Sequence, residues 1–230
     1  MKNGYYNDKV LEKFRSALAD SMKAVKAGEL VKVSISNANS KMGNVASVST
    51  LPFITCPARC ADSCGSACYA AKLANLRPNV LRSYANNTAI AMLRPDLYWP
   101  QVELAVLAVR YFRFHVSGDI MNRDYFQHMI DIARRNPKTE ILCFTKRFEL
   151  VNAWIADNGE LPCNLHVLFS GWQEMKPINP HALPETDVYE KEEQIRDNWK
   201  LCGGNCFNCA CRGVGCWQAG KGDVVAFKKH

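Results

Sequence analysis

The pattern of hydrophobic positions begins with a helix. Over residues 8–27 apolar side chains recur at intervals of three and four, and Gly28 follows as a helix stop. Residues 30–36 alternate between apolar and polar, which predicts a strand. Two more helices are predicted over 79–93 and 96–111, with a break between them because Pro95 cannot continue a helix.

The second half of the chain becomes regular. Short apolar runs at 112–117, 140–145 and 165–170 are typical of buried parallel strands, and helical patterns at 125–135 and 148–157 follow the first two. Repeated strand-helix units predict an α/β fold with a parallel sheet, either an open doubly wound sheet or a complete or partial barrel. Our interpretation is a partial (β/α) barrel with a cysteine-rich loop and a C-terminal segment.

Beyond the third run the regular pattern ends. Three prolines predict an extended loop over 176–184, the charged stretch 187–200 predicts a solvated helix, and 224–227 predicts a final strand. We interpret 1–230 as a single domain. It comprises an N-terminal helix (1–28), a strand-helix core (30–200) that includes a first cysteine cluster (56–68), and a cysteine-rich C-terminal segment (201–230).

Composition bears on the location of the protein. The chain has 230 residues, 48% of them hydrophobic, yet no run approaches the roughly 20 apolar residues that span a bilayer, and the N-terminus lacks the apolar centre of a signal peptide. We therefore expect a cytoplasmic protein without membrane contact. Its net charge of +7 is scattered along the chain, which gives only weak support to nucleic acid as a partner.

Cysteine provides the strongest chemical signal. Nine of the 11 cysteines fall in two groups that contain no histidine. The first group is Cys56, Cys60, Cys64 and Cys68, and the second is Cys202, Cys206, Cys209, Cys211 and Cys216. Reducing cytosol keeps thiols free, so these groups favour metal ligation over disulfides. Four soft thiolates suit a 4Fe-4S cluster, and zinc with four thiolates is the alternative.

The intervals between the cysteines indicate which of them are metal ligands, but they do not give the number of clusters. Cys211 is the spare of the second group because one residue separates it from Cys209, and Cys60 is the least certain of the first. Cys143 and Cys163 stand alone and are expected to be small core residues. The eight remaining thiols could hold two clusters, or a split set could hold one. The predicted metal ligands are Cys56, Cys60, Cys64, Cys68, Cys202, Cys206, Cys209 and Cys216.

Polar groups also follow each predicted strand of the second half. They are Ser117-Gly118-Asp119, Thr145-Lys146-Arg147 and Ser170-Gly171-Trp172. Because sites in parallel α/β folds form at the carboxyl ends of strands, these groups are expected to converge. The predicted cofactor-binding residues are His115, Ser117, Gly118, Asp119 and Lys146. The alternative is structural: Ser, Gly and Asp turn the chain, His115 is a core residue, and Lys146 belongs to a solvated basic pair.

Several of these motifs together resemble the phage-encoded gene product eighty-eight family. The motifs are Cys56-Pro57, Cys64 through Cys68-Tyr69-Ala70, His115 through Asp119, Thr145-Lys146 and Cys216-Trp217, spread over roughly residues 40–230. The resemblance implies a viral iron-sulfur protein in the host cytoplasm. A more distant resemblance is to radical S-adenosylmethionine enzymes, in which Ser117-Gly118-Asp119 would correspond to a cofactor-binding strand end, although their usual Cys-x3-Cys-x2-Cys loop is missing here.

These features lead to one expected function and two alternatives. We expect a 4Fe-4S protein, with one or two clusters, that performs redox or radical chemistry on an unknown small-molecule substrate, with S-adenosylmethionine as a second candidate cofactor. The first alternative is an electron-transfer or redox-sensing protein that acts on a redox partner. The second is a zinc-stabilised protein that binds nucleic acid. The motifs of common nucleotide-binding proteins and zinc proteases are absent from the sequence.

Overall fold

A computed structural model describes residues 4–39, 41–173 and 175–229 of the chain, so residues 1–3 of the predicted N-terminal segment lie outside the described residues. The described part contains seven α-helices and eight strands. The helices are α1 (Asp8–Lys26), α2 (Tyr69–Leu76), α3 (Pro78–Leu93), α4 (Pro95–Leu107), α5 (Arg123–Arg135), α6 (Phe148–Asn158) and α7 (Cys206–Arg212). The strands are β1 (Ile35–Ser36), β2 (Ala46–Val48), β3 (Tyr111–Phe114), β4 (Glu140–Thr145), β5 (Leu165–Ser170), β6 (Glu185–Tyr189), β7 (Trp199–Leu201) and β8 (Val224–Lys228).

All eight strands form one mostly parallel sheet. Its order is β1-β2-β3-β4-β5-β6-β8-β7, and only the β1–β2 pair is antiparallel. Helices α5 and α6 are the crossovers that parallel neighbours require. Within the described residues β1 and β7 are the two edges of an open sheet. The predicted α/β class and parallel sheet are therefore confirmed, whereas closure into a barrel is not.

The two faces of the sheet are covered differently. Alternate residues of a strand point to opposite faces, and on β3 Phe112 and Phe114 pack into the large core formed with the helices. On the other face Leu142, Leu168 and Val225 pack against Ala210 and Trp217 of the C-terminal segment. We call this second surface the inner face. The cysteine-rich segment covers it, so the C-terminal cysteines are brought over the middle of the sheet.

Several predicted elements match the structure. The helix predicted at 8–27 is α1, the runs at 140–145 and 165–170 are β4 and β5 with the same bounds, and 224–227 lies within β8. Asn7 caps α1 by accepting a hydrogen bond from the Val10 amide at 3.0 Å. No helix of the described residues is long and apolar enough to cross a membrane, as expected.

Other predictions were wrong at their boundaries. The strand predicted at 30–36 is limited to Ile35–Ser36, because only these residues pair with β2. The helix predicted at 96–111 ends at Leu107, and Tyr111 already begins β3. The strand predicted at 112–117 stops at Phe114, because His115 adopts a φ of 58° that a strand cannot accommodate. His115 and Asp119 therefore lie in the loop after β3 and not on the strand.

The helix predicted at 187–200 was also wrong. This stretch contains the end of β6, a short 3-10 turn over Glu192–Gln194, and β7. Both strands pair with β8, more than twenty residues further along the chain, and this long-range pairing overrides the local charged pattern. The pattern analysis also missed β2, α2 and α7, which are short elements next to or within the cysteine groups.

Candidate metal centre and ligand cavity

A cavity of about 770 Å³ lies between the carboxyl ends of the strands and the two cysteine groups. All eight predicted metal ligands line it, together with His115, Ser117, Gly118, Asp119 and Lys146. The structure therefore brings every predicted site residue to one place. The volume falls within the range of about 300–1,000 Å³ that small-molecule sites occupy.

The first cysteine group lies in the loop that joins β2 to α2. Cys60 is buried, and the thiols of Cys56 and Cys64 are within hydrogen-bonding reach of its own thiol. These hydrogen bonds raise the pKa of Cys60 and lower that of Cys64, and the positive charge of Lys146 lowers the pKa of Cys64 further. Cys60, the least certain ligand from sequence, thus lies at the centre of its group.

Cys68 completes this group at the start of α2. Its sulfur accepts a hydrogen bond from the Ala71 amide at 3.4 Å and so caps the helix. Burial raises the pKa of Cys68 to about 12, while that amide and the neighbouring amide of Ala70 oppose the rise. A helix N-terminus favours a thiolate, which is the form that binds metal.

The second group is built around α7. Cys206 and Cys209 are three residues apart and share one face of this helix, Cys202 follows β7, and Cys216 lies in the next 3-10 turn. Burial raises the pKa of Cys216, and Cys202 and Cys206 raise it further, so these thiols are close neighbours. Trp217 anchors the turn, because its indole donates a hydrogen bond to the Cys206 carbonyl at 3.0 Å.

Cys211 of the second group and the two isolated cysteines do not line the cavity. Cys211 is exposed and borders a different, smaller depression, in agreement with its role as the spare. Cys143 is buried in the helix-side core, as predicted. Cys163 is exposed, so the prediction of a buried core residue was wrong for it. The turn before β5 leaves this side chain at the surface, although the adjacent Pro162 and apolar strand suggested burial.

The donor set fits a metal centre in kind and in number, since each group offers four soft thiols and no competing histidine. Across residues 4–39, 41–173 and 175–229, however, no three His, Cys, Asp or Glu side chains are arranged to hold a metal ion. Ligation would therefore require thiol rotation and loss of the thiol protons. The fit is thus one of donor chemistry and proximity, without preformed coordination geometry.

Asp119 joins the loops beneath the cavity. One carboxylate oxygen accepts hydrogen bonds from the Thr145 hydroxyl at 2.5 Å and the Ile120 amide at 2.8 Å, and the other accepts from the Lys146 amide at 2.8 Å. Its own amide donates to the Thr55 hydroxyl at 3.0 Å. Burial raises the pKa of Asp119, and the hydrogen bonds oppose this rise. Its described bonds are internal, so Asp119 positions the loops.

Lys146 and Arg147 have separate roles. The Lys146 ammonium faces the cavity and donates to the Ser170 carbonyl oxygen at 2.9 Å and to the Ser170 hydroxyl at 2.5 Å. Arg147 points the other way and donates to the carbonyl oxygens of Ile120 at 3.0 Å and Thr55 at 2.8 Å. The alternative of a solvated basic pair is therefore wrong for both residues, because Arg147 binds backbone carbonyls of two loops and Lys146 lines the cavity.

The contacts of His115 are those of a core residue. Its Nε2 lies 3.1 Å from the Tyr125 hydroxyl, which in turn lies 2.9 Å from the Tyr98 hydroxyl. Its Nδ1 lies 3.9 Å from the Cys143 sulfur. Burial lowers the pKa of His115 to about 3, and the charge of Arg113 contributes. The imidazole is therefore neutral at pH 7.

Among the wall residues that sequence reasoning missed, two lie next to the cysteines. Arg113 lies on the inner face of β3, where its guanidinium is 3.9 Å from the Cys206 sulfur and 4.5 Å from the centre of the Phe144 ring. Tyr69 is an electrostatic neighbour of both Cys68 and Cys206. The alternation of β3 contained a signal for Arg113, because a charged residue on a buried strand requires an explanation.

The fold and the cavity define a mixed α/β protein with two cysteine groups at the carboxyl edge of a mostly parallel sheet. The chain matches the model of the family described as Gene product 88 over residues 10–224, and it belongs to that family. The family predicted from the motifs is thus confirmed. No curated protein and no solved structure matches the chain.

The loop after β3 depends on a glycine at position 118. A Cβ there would lie 2.0 Å from the Thr50 hydroxyl oxygen, and φ is +80°. We expect Gly118→Ala to lower the free energy of unfolding by about 3 kcal/mol or more, from left-handed strain plus overpacking. Gly28→Ala is the matched control, because Gly28 has a φ of +75° and no heavy atom within 4 Å of the added Cβ. Urea denaturation measures the free energy of unfolding of both variants. Equal losses in Gly118→Ala and Gly28→Ala would contradict close packing around Gly118.

The buried histidine predicts a pH dependence. The pKa of His115 is about 3 in the folded chain and near 6.5 when unfolded, so protonation favours unfolding. The contribution of the neutral imidazole to the free energy of unfolding is fully present above pH 6.5. It falls by about 1.4 kcal/mol per pH unit as the pH drops towards 3. Asparagine tolerates the positive φ of this position, so His115→Asn is the variant to test. Between pH 7 and pH 5 we expect its free energy of unfolding to fall by about 2 kcal/mol less than that of the wild type. Urea unfolding at both pH values measures this, and parallel losses would refute a neutral buried His115.

Proposed function

We propose that the protein is a phage-encoded iron-sulfur protein that holds two 4Fe-4S clusters and performs redox or radical chemistry on a small molecule bound between them. The first cluster would be held by Cys56, Cys60, Cys64 and Cys68. The second would be held by Cys202, Cys206, Cys209 and Cys216. When bound, the clusters would supply one-electron transfer, with electrons exchanged with an external redox partner.

One observation supports this proposal most strongly: eight thiols converge on one cavity as two groups of four. Cys60 and Cys68 interact with cysteines of the first group, and Cys216 interacts with cysteines of the second. Tyr69 neighbours both groups through Cys68 and Cys206. The interactions within each group favour two sites over one shared site, and Cys211 and Cys163 take part in neither set.

The residues around the cavity would supply charge and shape. Arg113 next to Cys206 and Lys146 near Cys64 place one cation beside each group, which would offset the negative charge of bound thiolates. Asp119 holds the loop ends at fixed positions through its hydrogen bonds. We also propose that the sheet is a partial barrel. Its inner face, which the C-terminal segment covers, would be the inside of that barrel.

The cavity favours an enzyme over a simple electron carrier. A carrier needs its clusters enclosed, whereas here the cavity of about 770 Å³ extends from both cysteine groups to Ser117 and Lys146 at the strand ends. S-adenosylmethionine remains a second candidate cofactor for this space, and the host cytoplasm remains the proposed location. A zinc-stabilised protein that binds nucleic acid is the other alternative, because zinc also accepts four thiolates.

Anaerobic purification followed by iron, sulfide and zinc analysis tests the proposal. We expect a brown protein with about eight iron and eight sulfide per chain and cluster signals in electron paramagnetic resonance after reduction. Cys64→Ser and Cys216→Ser should each lose about half of the iron, because each removes a ligand from one group of four. A colourless protein with stoichiometric zinc would refute the proposal.

Cys211→Ser and Cys163→Ser are the matched controls, since both cysteines are exposed and lie outside the two groups. Both variants should keep their full iron content. Circular dichroism of each variant checks that the fold is intact. If Cys211→Ser lost as much iron as Cys216→Ser, the assignment of the second group would be wrong. Titration with S-adenosylmethionine, followed by the cluster signals, tests the second cofactor.

A further inference from the structure

Lys146 is an unusual residue for the wall of a cavity. Its side chain belongs to a residue only 8% exposed, and its ammonium hydrogen bonds are to the neutral oxygens of Ser170. In the part of the chain that the structure describes, it forms no ion pair with a carboxylate. A lysine ammonium has three donors, so one remains for a further acceptor. The Asp119 carboxylate and the Cys64 thiol interact electrostatically with this ammonium, but in the described residues neither accepts a hydrogen bond from it. A buried ammonium with an unused donor facing a cavity indicates a site where an acceptor binds.

Two further polar groups of the same cavity are incompletely hydrogen-bonded. The hydroxyl of Ser117, a residue 3% exposed, lies near the Tyr84 hydroxyl but makes no hydrogen bond of normal geometry within the described residues. The Nε of Arg113 is likewise buried and makes no hydrogen bond within the described residues, whereas the rest of the guanidinium neighbours the Tyr69 hydroxyl and the sulfurs of Met42 and Cys206. Buried polar groups are ordinarily hydrogen-bonded, so unpaired donors that line a cavity indicate a missing acceptor.

The remaining wall is largely apolar and aromatic. Tyr69, Tyr84, Phe144, Trp172 and Phe227 line it together with the two cysteine groups. Aromatic walls bind planar or aliphatic groups, whereas a few convergent polar groups fix the orientation of a ligand. The lining thus combines a few polar and positively charged groups with an apolar remainder.

We propose that this cavity binds a small organic oxyanion, a carboxylate or a phosphate ester with an aromatic or aliphatic body, whose anionic group is seated on Lys146 and Ser117. This inference rests on the proposed function, because the molecule would be its substrate, and it adds the chemical class. The Lys146 ammonium would donate its third hydrogen to the oxyanion, and the Ser117 hydroxyl would donate a second hydrogen bond. The aromatic wall would hold the body of the molecule between the cysteine groups.

A matched pair of fluorescent probes tests this site on the iron-loaded full chain. 8-Anilinonaphthalene-1-sulfonate carries an oxyanion on an aromatic body, and N-phenyl-1-naphthylamine has the same body without charge. We expect Lys146→Met to weaken binding of the sulfonate about 10- to 100-fold, as loss of a charge-assisted hydrogen bond predicts, and to change binding of the neutral probe less than about twofold. Ser117→Ala should weaken only the sulfonate, by about threefold to tenfold.

Lys221→Met is the control for loss of one positive charge, because Lys221 is an exposed residue that pairs with Glu160 outside the cavity. It should leave both affinities unchanged. Competition of the bound sulfonate with benzoate and with phenyl phosphate then identifies which oxyanion the site prefers. Displacement by either one supports the inference, and displacement by neither overturns it.

The iron content of each variant distinguishes this inference from the proposed function. Weaker sulfonate binding by Lys146→Met with full iron supports the oxyanion site. Unchanged sulfonate binding overturns it, whether or not iron is lost. If iron were lost as well, the role of Lys146 would be to support cluster binding by the first cysteine group. Equal weakening of both probes also overturns it, because the cavity itself would have changed. A wild-type chain that binds the sulfonate but contains no iron contradicts the proposed function alone.

Discussion

The carboxylate of Asp119 is the interaction on which the geometry of the cavity depends. It accepts hydrogen bonds from the loop after β3 and from the end of β4, and through its backbone amide it is tied to Thr55 of the loop that carries the first cysteine group. Burial of such a group is favourable only when its hydrogen bonds are made, which couples the positions of three loops. The strand ends therefore position the cysteine loop together with hydrogen bonds inside the loop, such as that from the Ser63 hydroxyl to the Arg59 carbonyl oxygen.

The C-terminal segment supplies the other wall of the cavity. Trp217 packs against Tyr111 with a ring-centre distance of 5.3 Å, and Ala210 and Trp217 cover the inner face of β4 and β5. This apolar contact fixes α7 and the following turn over the sheet, and so Cys206, Cys209 and Cys216 face the first group across the cavity. The apolar face of a sheet must be covered, and here the covering segment also carries the candidate ligands.

The cavity wall carries positive charges next to the cysteine thiols. Arg113 and Lys146 are cations on the wall, one beside each cysteine group, and neither forms an ion pair with a carboxylate in the described residues. Protonated thiols do not compensate these charges, whereas thiolates or a bound oxyanion would. The charges of the cavity wall and those of the proposed ligands are thus complementary. The same two residues would link the cysteine chemistry to the binding of a small molecule.

The sequence alone determined the α/β class, α1, β4, β5 and the two cysteine groups, because apolar periodicity and cysteine spacing are local properties. It also predicted that the strand ends carry the site. It did not reveal β6 and β7, whose short sequences mix polar and apolar residues and become strands by pairing with distant parts of the chain. Tertiary structure alone decided that Asp119 ties loops together, that His115 is enclosed by Tyr125 and that Arg113 faces Cys206. Each depends on contacts between residues distant in the chain, and local patterns contain no information on such contacts.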